Sequence, residues 1–146
     1  MTTPSNVRTP ATIYPSFIYR DAPAMIAWLE RAFGFRRRLV VEGDERAVVH
    51  AELTLGEAVI MVSSPRADLN LRGAADLGAT HAGCCCFVDD PDAHCARAVQ
   101  EGAVVHFPLK DTDYGSREYT VRDPEGVMWT FGTYRPGAYW DGRTGS

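Results

Sequence analysis

HAGCCCFVDDPDAHCARAVQEGA, residues 81–103, repeats the plan of IYPSFIYRDAPAMIAWLERAFGF, residues 13–35. Each stretch opens with a short apolar run, continues through an acidic residue near a proline, and ends an amphipathic segment on a glycine. Asp21 and Asp90 stand 69 positions apart, and Gly34 and Gly102 stand 68 apart. The aspartates suit helix N-caps, Pro23 and Pro91 suit a first helical turn, and the glycines suit left-handed C-caps. Helical periodicity assigns Met25, Ile26, Leu29 and Phe33 to the buried stripe of the first helix. In the second helix it assigns Ala93, Ala96, Val99 and Cys95.

The segments that follow the two helices also correspond. After Gly34 come FRRRLVV, a Gly43-Asp44 turn, AVVHAELTL, a Gly56-Glu57 turn and AVIMVSS. After Gly102 come AVVHFPLK, a loop at DTDYGS, REYTVRD, the turn Asp123-Pro124-Glu125-Gly126, and VMWTFGTY. Glycine and proline punctuate β-rich runs in both halves, so each reads βαβββ. The expected organisation is a loose N-terminus (1–10), a first module (11–63), a polar linker (64–80), a second module (81–135) and a C-terminal tail (136–146). The fold class is α+β. A sheet with one helix leaves one face open, and two such units form paired half-open barrels around a cleft.

Bulk properties narrow the function. The 146 residues are 45% hydrophobic and 23% charged, the balance of a globular domain with a real core. A formal charge of −4 argues against a nucleic-acid partner, which would require many neutralised phosphates. No apolar run reaches the roughly 18 residues of a membrane span, and no secretory leader is expected in the proline-punctuated start. Cys84, Cys85 and Cys86 are consecutive, and Cys95 cannot pair with all three. Reduced thiols and a cytoplasmic location are therefore expected.

Two stretches, VDDPDAHCARAVQEGA (88–103) and YGSREYTVRDPEGVMWTFGTY (114–134), resemble the vicinal oxygen chelate superfamily. That superfamily includes glyoxalase I, bleomycin-resistance proteins and extradiol dioxygenases. The likeness covers about residues 11–135, and the W-T-F-G-T-Y ending is similar to an uncharacterised glyoxalase-like branch. The resemblance implies paired βαβββ modules, a homodimer and a small-molecule cleft. In metal-using members it also implies one divalent ion held by His, Gln and Glu. The matching positions here are Tyr14, Met61, Gly83 and Thr130, none of which is a strong donor to a hard or borderline ion. No cofactor is therefore expected. The alternative is one divalent ion with displaced ligands, for which His81, two residues before Gly83 on the same strand face, is the candidate.

Period-two alternation sorts the strands into core and cleft positions. The inferred lining is Tyr14, Ser16, Ile18, His50, Met61, Cys85, Phe87, Tyr119, Val121, Met128 and Thr130, with Arg117 at the rim. The same parity turns Thr120 inward unless a bulge reverses it. Such a lining, apolar and aromatic with a few polar groups, suits a small organic ligand. His50 beside Glu52 is the candidate general base, Arg117 a candidate anion clamp and Cys85 an inert thiol. Arg36-Arg37-Arg38 reads as a solvated strand edge, and His94 and His106 as structural.

These residues point to a cleft for a largely apolar or aromatic small molecule without a metal; that the protein is a homodimer and sequesters an antibiotic or metabolite is what the resemblance implies. The acidic surface favours neutral or cationic compounds. The alternative is an enzyme of the same superfamily: a metal-dependent lyase, isomerase or dioxygenase, or a metal-free cyclase or isomerase using His50. A third reading is an interaction module with a vestigial cleft.

Overall fold

A computed structural model describes residues 11–137. The expected loose N-terminus (1–10) and all but the first two residues of the expected tail lie outside the described residues. The element order is β1 (Ser16–Ile18), α1 (Ala22–Phe33), β2 (Arg36–Glu42), β3 (Val48–Leu55), β4 (Ala58–Ser63), α2 (Ala74–Leu77), β5 (Gly83–Phe87), α3 (Pro91–Gln100), β6 (Val104–Asp111), β7 (Arg117–Arg122) and β8 (Met128–Gly132). Two four-stranded sheets result, in the orders β1-β4-β3-β2 and β5-β8-β7-β6. Each first strand runs parallel to the last strand of its module, and the other pairs are antiparallel. This is the twice-repeated βαβββ architecture read from the repeat. Among the described residues no helix is long and apolar enough to cross a membrane.

The helix signals act as their chemistry requires. Asp21 and Asp90 accept from the backbone N–H groups of Ala24 and Ala93, and Gly34 ends α1 at φ 84°. Met25, Ile26, Leu29 and Phe33 are buried as expected. The stripe of α3 differs: Pro91, Cys95 and Ala98 are buried, whereas Ala93, Ala96 and Val99 are exposed. Small residues carry little apolar signal, so helical phase is poorly marked there. The linker is also more ordered than its composition suggests. A 3-10 turn at Ala67–Leu69 and the short α2 shape it, and Arg20 pairs with Asp76 at 2.6 Å.

The modules join through their helix faces. Phe33 of α1 lies 4.6 Å from Phe131 and 5.4 Å from Trp129 between ring centroids, and Phe17 stacks on Trp129 at 4.9 Å. One buried cluster draws on both sheets and both long helices. Each such ring pair contributes about 0.5–1.5 kcal/mol beyond area burial.

The second module also satisfies both ends of α1. Helix termini leave unpaired N–H and C=O groups. At the C-terminal end, Arg97 donates to the carbonyls of Glu30 and Arg31, and His94 Nε2 to that of Phe33. At the N-terminal end, Glu125 of the Asp-Pro-Glu-Gly turn accepts from the N–H groups of Arg20 and Asp21. Beside it Asp123, buried in the core, accepts from Tyr19 Oη at 2.6 Å and Trp129 Nε1 at 3.0 Å. The Asp-Pro-Glu-Gly turn is thus the clasp between the halves.

Candidate functional site

The two modules meet on their helix sides, so each sheet presents its other face outward. On the first sheet that face carries Ser16, Ile18, His50, Glu52 and Met61. Ser16 and Glu52 are both cross-strand partners of Met61. A two-residue turn, Gly56-Glu57, joins β3 and β4, so even positions of β3 share a face with odd positions of β4. That is the parity expected from the sequence. Leu53 and Ala51 are buried as expected, but Val49 is exposed. The register slips next to it, where Val41 faces His50 and Glu42 faces Val48.

The second sheet corrects the sequence reading at three positions. Tyr119 and Val121 are not cleft residues. They pair with Phe131 and Trp129 and are buried in the core at 1% and 0% exposure. Arg117 shares their side of the strand and grips Asp92 of α3 with two hydrogen bonds, at 2.7 and 2.9 Å, and Asp111 with a third. It is a structural ion pair, not an anion clamp, and its hydrogen bonds, helped by its charge, hold the Asp92 carboxyl below its usual value. The cause is loop length. Five residues (123–127) separate β7 from β8, against two in the first module, so residues of like parity pair and the face assignment inverts. Thr120, Glu118 and Arg122 take the outward side of β7, where Thr120 is covered by its neighbours at 7% exposure. Thr120 bonds Thr130 at 2.7 Å between hydroxyls.

The second open face therefore presents Cys85, Phe87, Thr120, Met128 and Thr130, with Glu118 and Arg122 at its ends. Cys85 is exposed, and burial of its sulfur followed by the Glu118 charge pushes its thiol up, away from nucleophilic thiolate. Tyr14 lies before β1, exposed, with its hydroxyl donating to the Ala11 carbonyl. His81 is exposed ahead of β5. On the first face His50 approaches Glu52 at 3.4 Å, and Glu52 is also held by Arg38. Sequence reasoning places Arg38 only on a solvated edge and misses this role. A bulge between Arg37 and Leu39 turns it onto the open face.

His94 is structural, as expected, but it has partners. Because the Phe33 carbonyl can only accept, Nε2 carries the proton and Nδ1 faces Tyr119 Oη at 2.5 Å. Burial holds its pKa below the ordinary imidazole value.

The donor set can be tested against a chelated divalent ion. Among the described residues no three His, Cys, Asp or Glu side chains converge on one point. Met61 is flanked by Ser16 and by a Glu52 already engaged by Arg38, and Thr130 is flanked by Cys85 and Thr120. A thioether, hydroxyls and a protonated thiol do not suit a hard or borderline cation. The residues do not fit that group.

A fold of two βαβββ modules with outward-facing open sheets defines the class, and comparison with known proteins identifies the family. Residues 13–131 match the Glyoxalase/Bleomycin resistance protein/Dioxygenase superfamily. The chain belongs to that superfamily. It is 28% identical over 121 residues to an uncharacterized protein of Mycobacterium tuberculosis, covering 81% of this chain and 71% of the relative. Among solved structures, TioX from Micromonospora sp. ML1 is 29% identical with a TM-score of 0.67, covering 86% of this chain and 97% of that one. A bleomycin-binding protein solved with bleomycin shares the fold at a TM-score of 0.62 and 17% identity, over 86% of this chain and 99% of its own.

Proposed function

We propose that this protein is a homodimer that binds a largely apolar or aromatic organic ligand in two clefts, without a chelated metal. The observation that carries this reading is the outward placement of the two open faces. One chain cannot bring Met61 opposite Thr130, because helices and the aromatic core lie between the sheets. A second copy can lay its second sheet over the first sheet of its partner, and the two-fold relation then makes two equivalent clefts. Each cleft is lined by Ser16, Ile18 and Met61 from one chain and by Cys85, Phe87, Met128 and Thr130 from the other. Methionine side chains adapt to a ligand's outline, and the aromatic ring supplies stacking area. The weak donors at the positions where relatives hold an ion support a binding role without metal chemistry. Likeness to a bleomycin-binding protein supports sequestration of an antibiotic or related metabolite.

The test combines sedimentation with a thermal-shift screen of bleomycin and aromatic antibiotics. A dimer is expected, with a melting temperature that rises with ligand concentration. Thr130→Trp, which fills the cleft while leaving the core untouched, should abolish the shift. A monomer with no responding compound would overturn the reading. So would stoichiometric zinc, nickel, manganese or iron in protein purified without chelator.

A further inference from the structure

At one end of the second open face, Phe87, Gly132 and Glu118 form a row across three strands, each paired with the next. The middle position has no side chain. A Cβ there would sit 2.6 Å from Glu118 Cβ, 3.0 Å from the Arg117 carbonyl and 3.1 Å from Ser116 Oγ. Glycine therefore leaves the middle of the row, between Glu118 and Phe87, free of a side chain. Tyr114 bonds Glu118 through its hydroxyl, and its ring meets Tyr134 edge-on at 5.5 Å. Ser116, 3% exposed, has a buried Oγ without a hydrogen-bond partner, and that atom lies beside Gly132. Among the described residues Glu118 is paired with no cation. Nearby, Arg135 places its guanidinium 3.5 Å from the Phe87 ring centroid.

We propose that this corner is a cation subsite of the cleft, and that Arg135 is a resident stand-in which a ligand's guanidinium or ammonium group displaces. The inference rests on the proposed ligand cleft and specifies its ligand as an apolar or aromatic body carrying one cationic group. An aromatic face attracts a cation through its quadrupole, more strongly once water is excluded. The unpaired Glu118 carboxylate supplies the complementary charge, and the unpartnered Ser116 hydroxyl an acceptor. The exposed side chain of Arg135 covers the ring with no ion-pair partner among the described residues, so it is held by little beyond the ring and can leave. The chain's net charge of −4 favours the approach of cations in general.

The experiment titrates phenylguanidinium and its neutral isostere phenylurea into the full chain, with affinity read by calorimetry and the contact by the Phe87 ring resonances. Arg135→Ala removes the internal competitor and should tighten phenylguanidinium about 3- to 30-fold, the range of one desolvated cation–π contact. Glu118→Gln and Phe87→Leu should each weaken it by a similar factor, and phenylurea should gain nothing from Arg135→Ala. Unchanged affinity in Arg135→Ala, or an equal gain for phenylurea, overturns the subsite. If apolar antibiotics still bind and Thr130→Trp still blocks them, only the subsite has failed. If they do not bind either, the ligand-cleft reading has failed with it.

Discussion

Replacing Asp123 by alanine should be among the most damaging single changes in this chain. The Asp123 carboxylate fills all four of its acceptor positions: Oδ1 takes the N–H groups of Glu125 and Val127, each at 3.0 Å, and Oδ2 takes Tyr19 Oη and Trp129 Nε1. Burial pushes its pKa above the usual carboxylate value, and the donors pull it back. Tyr19 and Trp129 are both 0% exposed, so neither donor can turn to water once the carboxylate is gone. Leaving a buried donor unsatisfied costs about 1–3 kcal/mol, and two side-chain donors plus the buried Val127 N–H bring the total to about 3–9 kcal/mol. A domain of this size is stable by only about 5–15 kcal/mol. Asp123→Asn keeps the shape and one acceptor oxygen. Its amide can donate to the Tyr19 hydroxyl but not satisfy Trp129 Nε1–H, so about 1–3 kcal/mol is expected. Urea unfolding followed by circular dichroism gives both values from the midpoint and slope. A loss below about 1 kcal/mol for Asp123→Ala, or an asparagine variant as damaged as the alanine one, would refute the clasp.

Three further outcomes follow from the same packing. Tyr119→Ala should cost about 3–5 kcal/mol, because a buried ring stacked on Phe131 and bonded to His94 is lost, while Thr120→Ala should cost about 1 kcal/mol; comparing their urea midpoints checks the inverted parity. Gly132→Ala should destabilise by about 1–3 kcal/mol and lower the melting temperature, since its Cβ would stand 2.6 Å from Glu118 Cβ. His94 has a folded pKa below its unfolded value of about 6.5, so the unfolded chain binds the extra proton. Its contribution is present above the unfolded pKa of about 6.5 and is lost as pH falls below it through the lower folded pKa, at no more than about 1.4 kcal/mol per pH unit. Urea midpoints at pH 5 and 7.5 should differ in the wild type, and His94→Gln should narrow that difference.

The repeat makes the architecture legible because two copies of one pattern check each other. Asp21 with Asp90 and Gly34 with Gly102 place both helices, and apolar strand residues such as Ile60, Val62, Trp129 and Phe131 fall where alternation puts them. Geometry set by a single inserted residue or by distant partners is not legible in the same way. The slip beside Val49 and the bulge beside Arg38 leave no mark in composition. Arg117 reads as an anion clamp at the rim until α3 brings Asp92 beside it. On the second sheet the parity argument fails because it carries over the tight hairpin of the first. The five residues between Arg122 and Met128 are the signal that distinguishes the two.

The longer loop also decides which side chains of β7 face outward. Both modules need an apolar row toward their helix, and in β4 and β8 the rows fall at equivalent places, Ile60-Val62 and Trp129-Phe131. The hairpin before β8 is longer because it must do something its counterpart does not. Asp123 and Glu125 reach back to cap α1 and hold Tyr19. Lengthening the loop by an odd number of residues forces the preceding strand to exchange its faces, so Tyr119 and Val121 go inward and Glu118, Thr120 and Arg122 go outward. The clasp that docks the modules thereby also chooses which side chains of β7 line the open face. In the first module, where no clasp is built, the two-residue turn leaves His50 and Glu52 there instead. A deletion that shortened the 123–127 loop by one residue would accordingly damage two things at once: the docking of α1 and the polarity of the open face.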